Sequence, residues 1–273
     1  MVSNSIFLCL LSSVLLILSF PKLNFSFLAY IAFVPLFFVI ENKSKTKAFL
    51  IFYLSGVIFW LGTIYWLIHV TLAGMIFLVL YLALYFAVFG LVVSSIKYRV
   101  SSIKLLFIPS IWVILEYIRS HLLTGFSWAL LGHTQYLNLP IIQIADLTGA
   151  YGISFLIMMV NVSLYQLIKA RKIKESRMVY LLFLTISFIV VLGYGFFRLN
   201  QKLDSQGLKI CVVQGNIPQA LKWDESAKPF IWKRYLELTK EASRQNPDLI
   251  IWPESAVPDY LDTQMITPAC RQA

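Results

Sequence analysis

Glu254 stands directly after Leu249-Ile250-Ile251-Trp252-Pro253, an apolar run of strand length closed by a proline. Pro253 fixes the backbone and removes a donor, so a strand must finish there and the next side chain is presented at the rim of its sheet. A carboxylate held beside apolar groups such as Trp252 suits a general base. Many strand ends carry a solvated acid, however, and from chemistry alone that plainer reading is the commoner one. A second pair of charged residues, Glu116 and Arg119, is spaced i, i+3 on one helix face. An ion pair is favoured there over direct contact with a lipid headgroup, because an isolated charge within apolar sequence is costly. His69, His121 and His133 have no helical ligand spacing and no neighbouring cluster of Cys or carboxylates, so anchoring at an interface is favoured over a metal site. Cys9, Cys211 and Cys270 show neither metal-ligand nor disulfide spacing, and the first two lie inside apolar runs where a thiol packs as a small hydrophobe. Neither a metal nor a cofactor is expected.

The elements that must position these residues are set by an apolar chain. Of its 273 residues, 59% are hydrophobic and 13% charged, and the mean hydropathy of +0.77 lies outside the range of soluble globular chains. This composition predicts a polytopic α-helical membrane protein. The net charge of +10 could suggest nucleic acid, but the basic residues fall in short runs between apolar segments, where a membrane explains them. No nucleic-acid partner is expected. No Lys or Arg precedes the first apolar run and no small-residue cleavage site follows it, so an uncleaved first span is expected rather than a removed signal peptide. Ile6-Phe7-Leu8 before Cys9 likewise lacks the small residues of a lipidated-cysteine signal.

About seven spans are predicted, at 5–20, 25–40, 48–69, 72–96, 103–118, 151–168 and 178–197, each close to the twenty apolar residues that a bilayer requires. The first two are short and joined only by Pro21-Lys22-Leu23-Asn24, as in a hairpin that dips imperfectly through the bilayer. Lys43, Lys45 and Lys47 follow the second span, Lys97, Arg99 and Lys104 the fourth, and Lys169, Arg171, Lys172, Lys174 and Arg177 the sixth, while the alternate connections carry little beyond Lys22 and Arg119. Basic residues are retained on the cytoplasmic side, so the N-terminus is expected inside and the segment after the seventh span outside. The long outward connection 119–150 holds Leu123-Thr124-Gly125-Phe126-Ser127-Trp128 and Gly132-His133-Thr134-Gln135-Tyr136, an apolar and aromatic content typical of an interfacial segment.

From Leu208 the texture changes. Leu208-Lys209-Ile210-Cys211-Val212-Val213 reads as a strand, Gln214-Gly215-Asn216 as a turn, 217–228 as a polar loop and 229–245 as a helix. Ile231, Tyr235, Leu238 and Ala242 recur at three- and four-residue intervals on one face of that helix, which Asn246-Pro247-Asp248 ends before the strand 249–252. The pattern is the β-α-β opening of an α/β domain, whose parallel strands carry functional groups at their C-terminal ends. Two regions result, 1–200 in the membrane and 208–273 outside it.

Gln214-Gly215-Asn216-Ile217-Pro218-Gln219, Lys222-Trp223-Asp224 and Ile251-Trp252-Pro253-Glu254-Ser255-Ala256-Val257-Pro258 together resemble the start of the nitrilase-like domain of the apolipoprotein N-acyltransferase family. The membrane part is similar too, in Leu123-Thr124-Gly125-Phe126-Ser127-Trp128, Leu131-Gly132-His133-Thr134-Gln135 and Gly149-Ala150-Tyr151-Gly152-Ile153-Ser154-Phe155-Leu156. The resemblance implies an α-β-β-α nitrilase-like (CN hydrolase) fold outside a multi-pass bundle in the bacterial inner membrane, with that domain in the periplasm. It implies transfer of an acyl chain from a phospholipid to the N-terminal α-amine of a diacylglyceryl apolipoprotein, through a thioester on a Glu, Lys and Cys triad. Glu254 matches the family's base. Trp223 matches a tryptophan of its site region, where it could position substrate, with plain packing an equal reading.

The chain also departs from that pattern. The family's Lys and Cys lie much further along, before a final span, and no Lys follows Glu254 here. Cys270, in Pro268-Ala269-Cys270-Arg271-Gln272, has no strand before it and no helix to activate its thiol. The resemblance fades after Asp262. The expectation is therefore an N-terminal, truncated part of such an enzyme, inactive alone. The alternative is a non-catalytic membrane remnant, or a lipid- or lipoprotein-binding half that needs a separately encoded C-terminal piece. A small transporter ranks last, since the spans carry no charge at mid-depth.

Overall fold

Runs of Leu, Ile, Val and Phe with scattered Gly and Ser dictate helices that must bury their backbone polar groups internally. The computed structural model describes residues 2–96, 104–169, 174–201, 207–222, 224–254 and 256, and the chain divides into two units, Met1–Gln201 and Lys202–Ala273. The first unit contains α1 (Val2–Ser19), α2 (Val34–Ile40), α3 (Lys45–Thr63), α4 (Leu72–Ser95), α5 (Lys104–His121), α6 (Leu139–Ile142), α7 (Ala145–Lys169) and α8 (Lys174–Leu199). Short 3-10 turns occupy Ser26–Tyr30, Tyr65–His69 and Leu131–Gln135. Among the described residues, α3, α4, α7 and most of α8 are long and apolar enough to cross a membrane, while the apolar stretches 5–19 and 26–40 are shorter.

The stretch 25–40, expected to be one span, is broken. Pro35 lies in the first turn of α2; it cannot donate to the carbonyl four residues back and its ring collides with that carbonyl, so a helix begun at Ser26 cannot run through. The freed backbone groups are taken up by one side chain from α7. Asn161, fully buried, accepts from the Phe33 N–H at 2.8 Å and donates to the Ala29 carbonyl at 2.8 Å and to its own helix at Ile157, 2.9 Å. Irregular backbone inside a hydrophobic bundle persists only with such partners. Similarly, the third apolar stretch changes from α3 to a 3-10 turn at Tyr65–His69, and α7 kinks at Gly149, where φ is 61°.

Helices α3 and α4 pack closely because small residues face large ones. A Cβ on Gly56 would lie 2.9 Å from the Cβ of Phe86, and one on Gly90 would lie 2.5 Å from the Phe52 ring, so both positions need glycine for this approach. The hydroxyls of Ser13 on α1 and Ser55 on α3 hydrogen-bond at 2.8 Å. Phe33 sits at the centre of the core, 4.8 Å from the Trp112 ring edge-on and 6.1 Å from Phe86. Helix α8 instead exposes Leu182, Ile189, Val190 and Phe197, a surface suited to lipid.

The second unit contains β1 (Ile210–Val212), α9 (Gln219–Lys222), a 3-10 turn at Glu225–Ala227, α10 (Lys228–Ser243) and β2 (Leu249–Ile251). The strands are parallel, with Ile210 opposite Leu249, Cys211 opposite Ile250 and Val212 opposite Ile251. At their N-terminal ends Asp248 Oδ2 accepts from the Lys209 N–H at 2.7 Å, and the Asp248 N–H donates to the Lys209 carbonyl at 2.8 Å. Helix α10 buries Ile231, Tyr235 and Ala242 against Val213, Ile250 and Trp252, the face its periodicity predicts, and ends where Asn246 takes a positive φ of 48° before Pro247. The opposite sheet face, made by Ile210, Val212, Leu249 and Ile251, is exposed.

Candidate functional site

Because β1 and β2 are parallel, both of their C-terminal ends meet at one rim. The Val213 N–H continues the ladder to the Ile251 carbonyl at 2.9 Å, which puts Gln214-Gly215-Asn216 beside Pro253-Glu254. Glu254 lies in a turn closed by the Ala256 N–H on the Pro253 carbonyl at 3.2 Å. Its carboxylate is exposed, with no hydrogen-bond or ion-pair partner among the described residues. The strand beneath is rigidly held: the Trp252 indole donates to Thr239 Oγ1 at 2.9 Å and stacks on Tyr235 at 5.2 Å. Tyr235 also makes glycine necessary across the rim, since a Cβ on Gly215 would come within 2.6 Å of its ring. Next to it Asn216 adopts a positive φ of 52° and accepts from the Gln214 side chain at 2.8 Å. The exposed Glu254 carboxylate and the amide pair of Gln214 and Asn216 thus follow the C-terminal ends of two neighbouring parallel strands.

Trp223 lies outside the described residues, as does Cys270. The neighbouring acid, Asp224, is a capping residue: its Oδ1 accepts from the N–H and hydroxyl of Ser226 at 2.9 and 2.7 Å. These hydrogen bonds hold its carboxyl below the usual carboxylate range.

In the first unit, Glu116 and Arg119 are both buried, 3% exposed each, but they form no ion pair with one another within 4.0 Å. Although each stands within reach of the other's charge, their hydrogen bonds go to the loop that follows α5. Arg119 Nη1 donates to the carbonyls of Phe126 at 3.0 Å and Trp128 at 2.8 Å, with its guanidinium 4.8 Å from the Trp60 ring centre. Glu116 Oε1 accepts from the Leu131 N–H at 2.7 Å. Backbone carbonyls and amides that the returning loop would otherwise bury unpaired are thus satisfied. That loop is part of the fold: Leu130, Leu131, Gly132, Thr134 and Gln135 are buried, the Gly132 N–H donates to Ser154 Oγ at 2.8 Å, and Gln135 donates to the Ser26 carbonyl at 2.9 Å. His133 is held below its ordinary proton affinity, first by burial and then by the Arg119 charge. His121 instead contacts the Tyr117 carbonyl of its own helix at 2.8 Å. Among the described residues no group of three or more His, Cys, Asp or Glu could hold a metal ion.

Asn161 and Trp60 were not legible as partners from the sequence. The signals available were a lone Asn inside an apolar helix and a proline inside a short apolar stretch.

A bundle of apolar helices with a buried polar loop clamp, followed by a β-α-β unit with a carboxylate at its strand rim, defines a helical membrane protein carrying a second, α/β unit. The pattern of the apolipoprotein N-acyltransferase N-terminal domain matches residues 12–163, and the chain belongs to the apolipoprotein N-acyltransferase family. It is 41% identical to the apolipoprotein N-acyltransferase of Geobacter metallireducens, over 94% of this chain and 52% of that protein. It is 34% identical to that of Coxiella burnetii over 66% of this chain and 36% of that protein, and 30% identical to that of Chlorobaculum tepidum over 96% and 51%. The chain thus spans about half, or less, of the length of these bacterial relatives.

Proposed function

We propose that this chain supplies the membrane bundle and the general base of an apolipoprotein N-acyltransferase. In this reading Glu254 takes the proton of a cysteine thiol, the thiolate attacks the ester carbonyl of a membrane phospholipid, and a lysine stabilises the oxyanion. The ester C–O bond then breaks and the lysophospholipid leaves with the proton returned by Glu254. The α-amine of a diacylglyceryl-cysteine lipoprotein attacks the thioester, loses a proton to Glu254, and takes the acyl chain as the cysteine sulfur is released and reprotonated. The observation that supports the reading is the parallel strand pair, whose C-terminal ends are followed by the Gln214-Gly215-Asn216 turn and by Glu254, exposed and without a partner among the described residues, in a chain of this family. Trp223 is proposed as a wall for substrate, and the β-α-β unit as the opening of a periplasmic nitrilase-like domain. About seven spans in the bacterial inner membrane, with the N-terminus cytoplasmic, complete the arrangement; the alternation of basic loops supports it.

In this reading the 273 residues, which contain no Lys after Glu254, are not expected to perform the transfer by themselves. The test is complementation of a strain depleted of its own N-acyltransferase, read by mass spectrometry of lipoprotein N-termini. The chain alone is expected to leave them unacylated. A chimera continuing into the remaining half of the Geobacter metallireducens relative is expected to restore acylation, and E254Q in the chimera to slow it by about 100-fold or more. Acylation by the 273 residues alone, or a fully active E254Q chimera, would overturn the proposal.

A further inference from the structure

Between α1 and the first turns of α3 runs a groove of about 260 Å³. Its walls are aliphatic side chains left uncovered by the bundle: Ile6 is 49% exposed, Leu50 57% and Leu54 44%. Cys9 forms the buried floor, with its thiol on the Ile51 carbonyl at 3.6 Å. In a bilayer such a groove is filled by lipid, and selectivity for one lipid rests on the groups at its mouth. Here these are Lys43 and Lys47, and among the described residues no Asp or Glu lines the groove.

Three features leave this mouth positively charged. Glu41, two residues before Lys43, is engaged by Lys169. Neither Lys43 nor Lys47 has an ion-pair partner among the described residues. The mouth also lies at the start of α3, a 19-residue helix capped by the Ser44 side chain, which accepts from the Lys47 N–H, so the positive end of the helix dipole adds to the charge there.

We propose that this groove is a binding site for an anionic glycerophospholipid, with its phosphate between Lys43 and Lys47 and one acyl chain along Ile6, Leu50 and Leu54. A net negative headgroup is favoured over a zwitterionic one, because phosphatidylethanolamine would bring its own ammonium against the two lysines. The site uses no residue of the acyl-transfer reading and stands or falls independently of it.

Native mass spectrometry of the purified 273-residue chain, titrated with phosphatidylglycerol, phosphatidylethanolamine or inorganic phosphate, tests the assignment. Phosphatidylglycerol is expected to bind about tenfold more tightly than phosphatidylethanolamine, and K43Q/K47Q to weaken it by about thirtyfold, at the usual worth of a lysine near a lipid surface. K45Q, which removes a lysine of the same turn that does not line the groove, is expected to keep affinity within about twofold. Equal binding of the two lipids, K45Q falling as far as K43Q/K47Q, or displacement of the lipid by millimolar inorganic phosphate would each overturn the proposal. Circular dichroism checks that the double variant keeps its helices. If it does not, the single variant K43Q is measured, and an unchanged affinity there overturns the proposal as well.

Discussion

Asn161 and His133 show how single side chains in this bundle carry structure that no helix pattern encodes. Asn161→Leu is nearly isosteric but strands the Phe33 N–H and the Ala29 carbonyl, both now paired at 2.8 Å. At about 1–3 kcal/mol for each buried unpaired group, it is expected to lower stability by about 2–6 kcal/mol in unfolding from mixed micelles. Asn161→Asp, which keeps the acceptor for Phe33 but not the donor for Ala29, is expected to remain destabilised; native stability in the Leu variant would refute the clamp. His133 gives a pH dependence. Its folded-state proton affinity is lowered from an ordinary value near 6.5, so unfolding releases a site that protonates more readily. Its contribution is complete above that ordinary value and is lost as pH falls from there toward the lower folded value. The thermal midpoint is expected to drop between pH 8 and pH 5, and His133→Gln to flatten that part of the drop. The buried pair beside it was half legible. Spacing on one helix face marks Glu116 and Arg119 as neighbours, yet their partners are the carbonyls of Phe126 and Trp128 and the amide of Leu131. Only the returning loop decides that, because contacts with it are closed by tertiary folding rather than by helical period.

Among the elements, the long apolar helices were readable from hydropathy, since a stretch such as Leu72–Ser95 has no polar face to hide. The breaks were not. An apolar run containing Pro35 can kink or end, and the choice here depends on Asn161 arriving from α7, more than a hundred residues away in sequence. Close pairing of α3 and α4 is likewise a property of two surfaces. Gly56→Leu would drive a side chain into Phe86 and Ala83, whose atoms already lie 2.9–3.0 Å from an added Cβ. The expected cost is about 1–3 kcal/mol or more, measured as earlier unfolding of the bundle, whereas Gly193→Leu on α8, with nothing within 4 Å, is expected to change little. The strand pair and α10 were legible because a short β-branched run and a three- and four-residue apolar repeat are local signals; the register Val212 to Ile251 was not.

For the whole molecule, the two units differ in how much of their apolar surface they cover. The helical unit buries an extended core of aliphatic and aromatic side chains, while the smaller unit covers one face of a two-stranded sheet and leaves Ile210, Val212, Leu249 and Ile251 exposed on the other. Parallel strands ordinarily have both faces covered, and two strands alone hold marginally. In the proposed orientation, protease added to the outer side of membranes holding this chain is therefore expected to remove the region after Leu208 and spare the bundle; a resistant product retaining it would show that the unit is stable as it stands. The sequence by itself determined that this is a helical membrane protein with a β-α-β unit after it and an acid at a strand end, because hydropathy, proline placement and apolar period act through near neighbours. Tertiary structure alone decided that an apolar stretch breaks around Asn161, that Glu116 and Arg119 direct their hydrogen bonds to a loop, and that the Gln214-Gly215-Asn216 turn and Glu254 follow neighbouring strand ends. Each of those outcomes needs polar groups distant in the chain to meet where water cannot serve them, or two strands to align in one register.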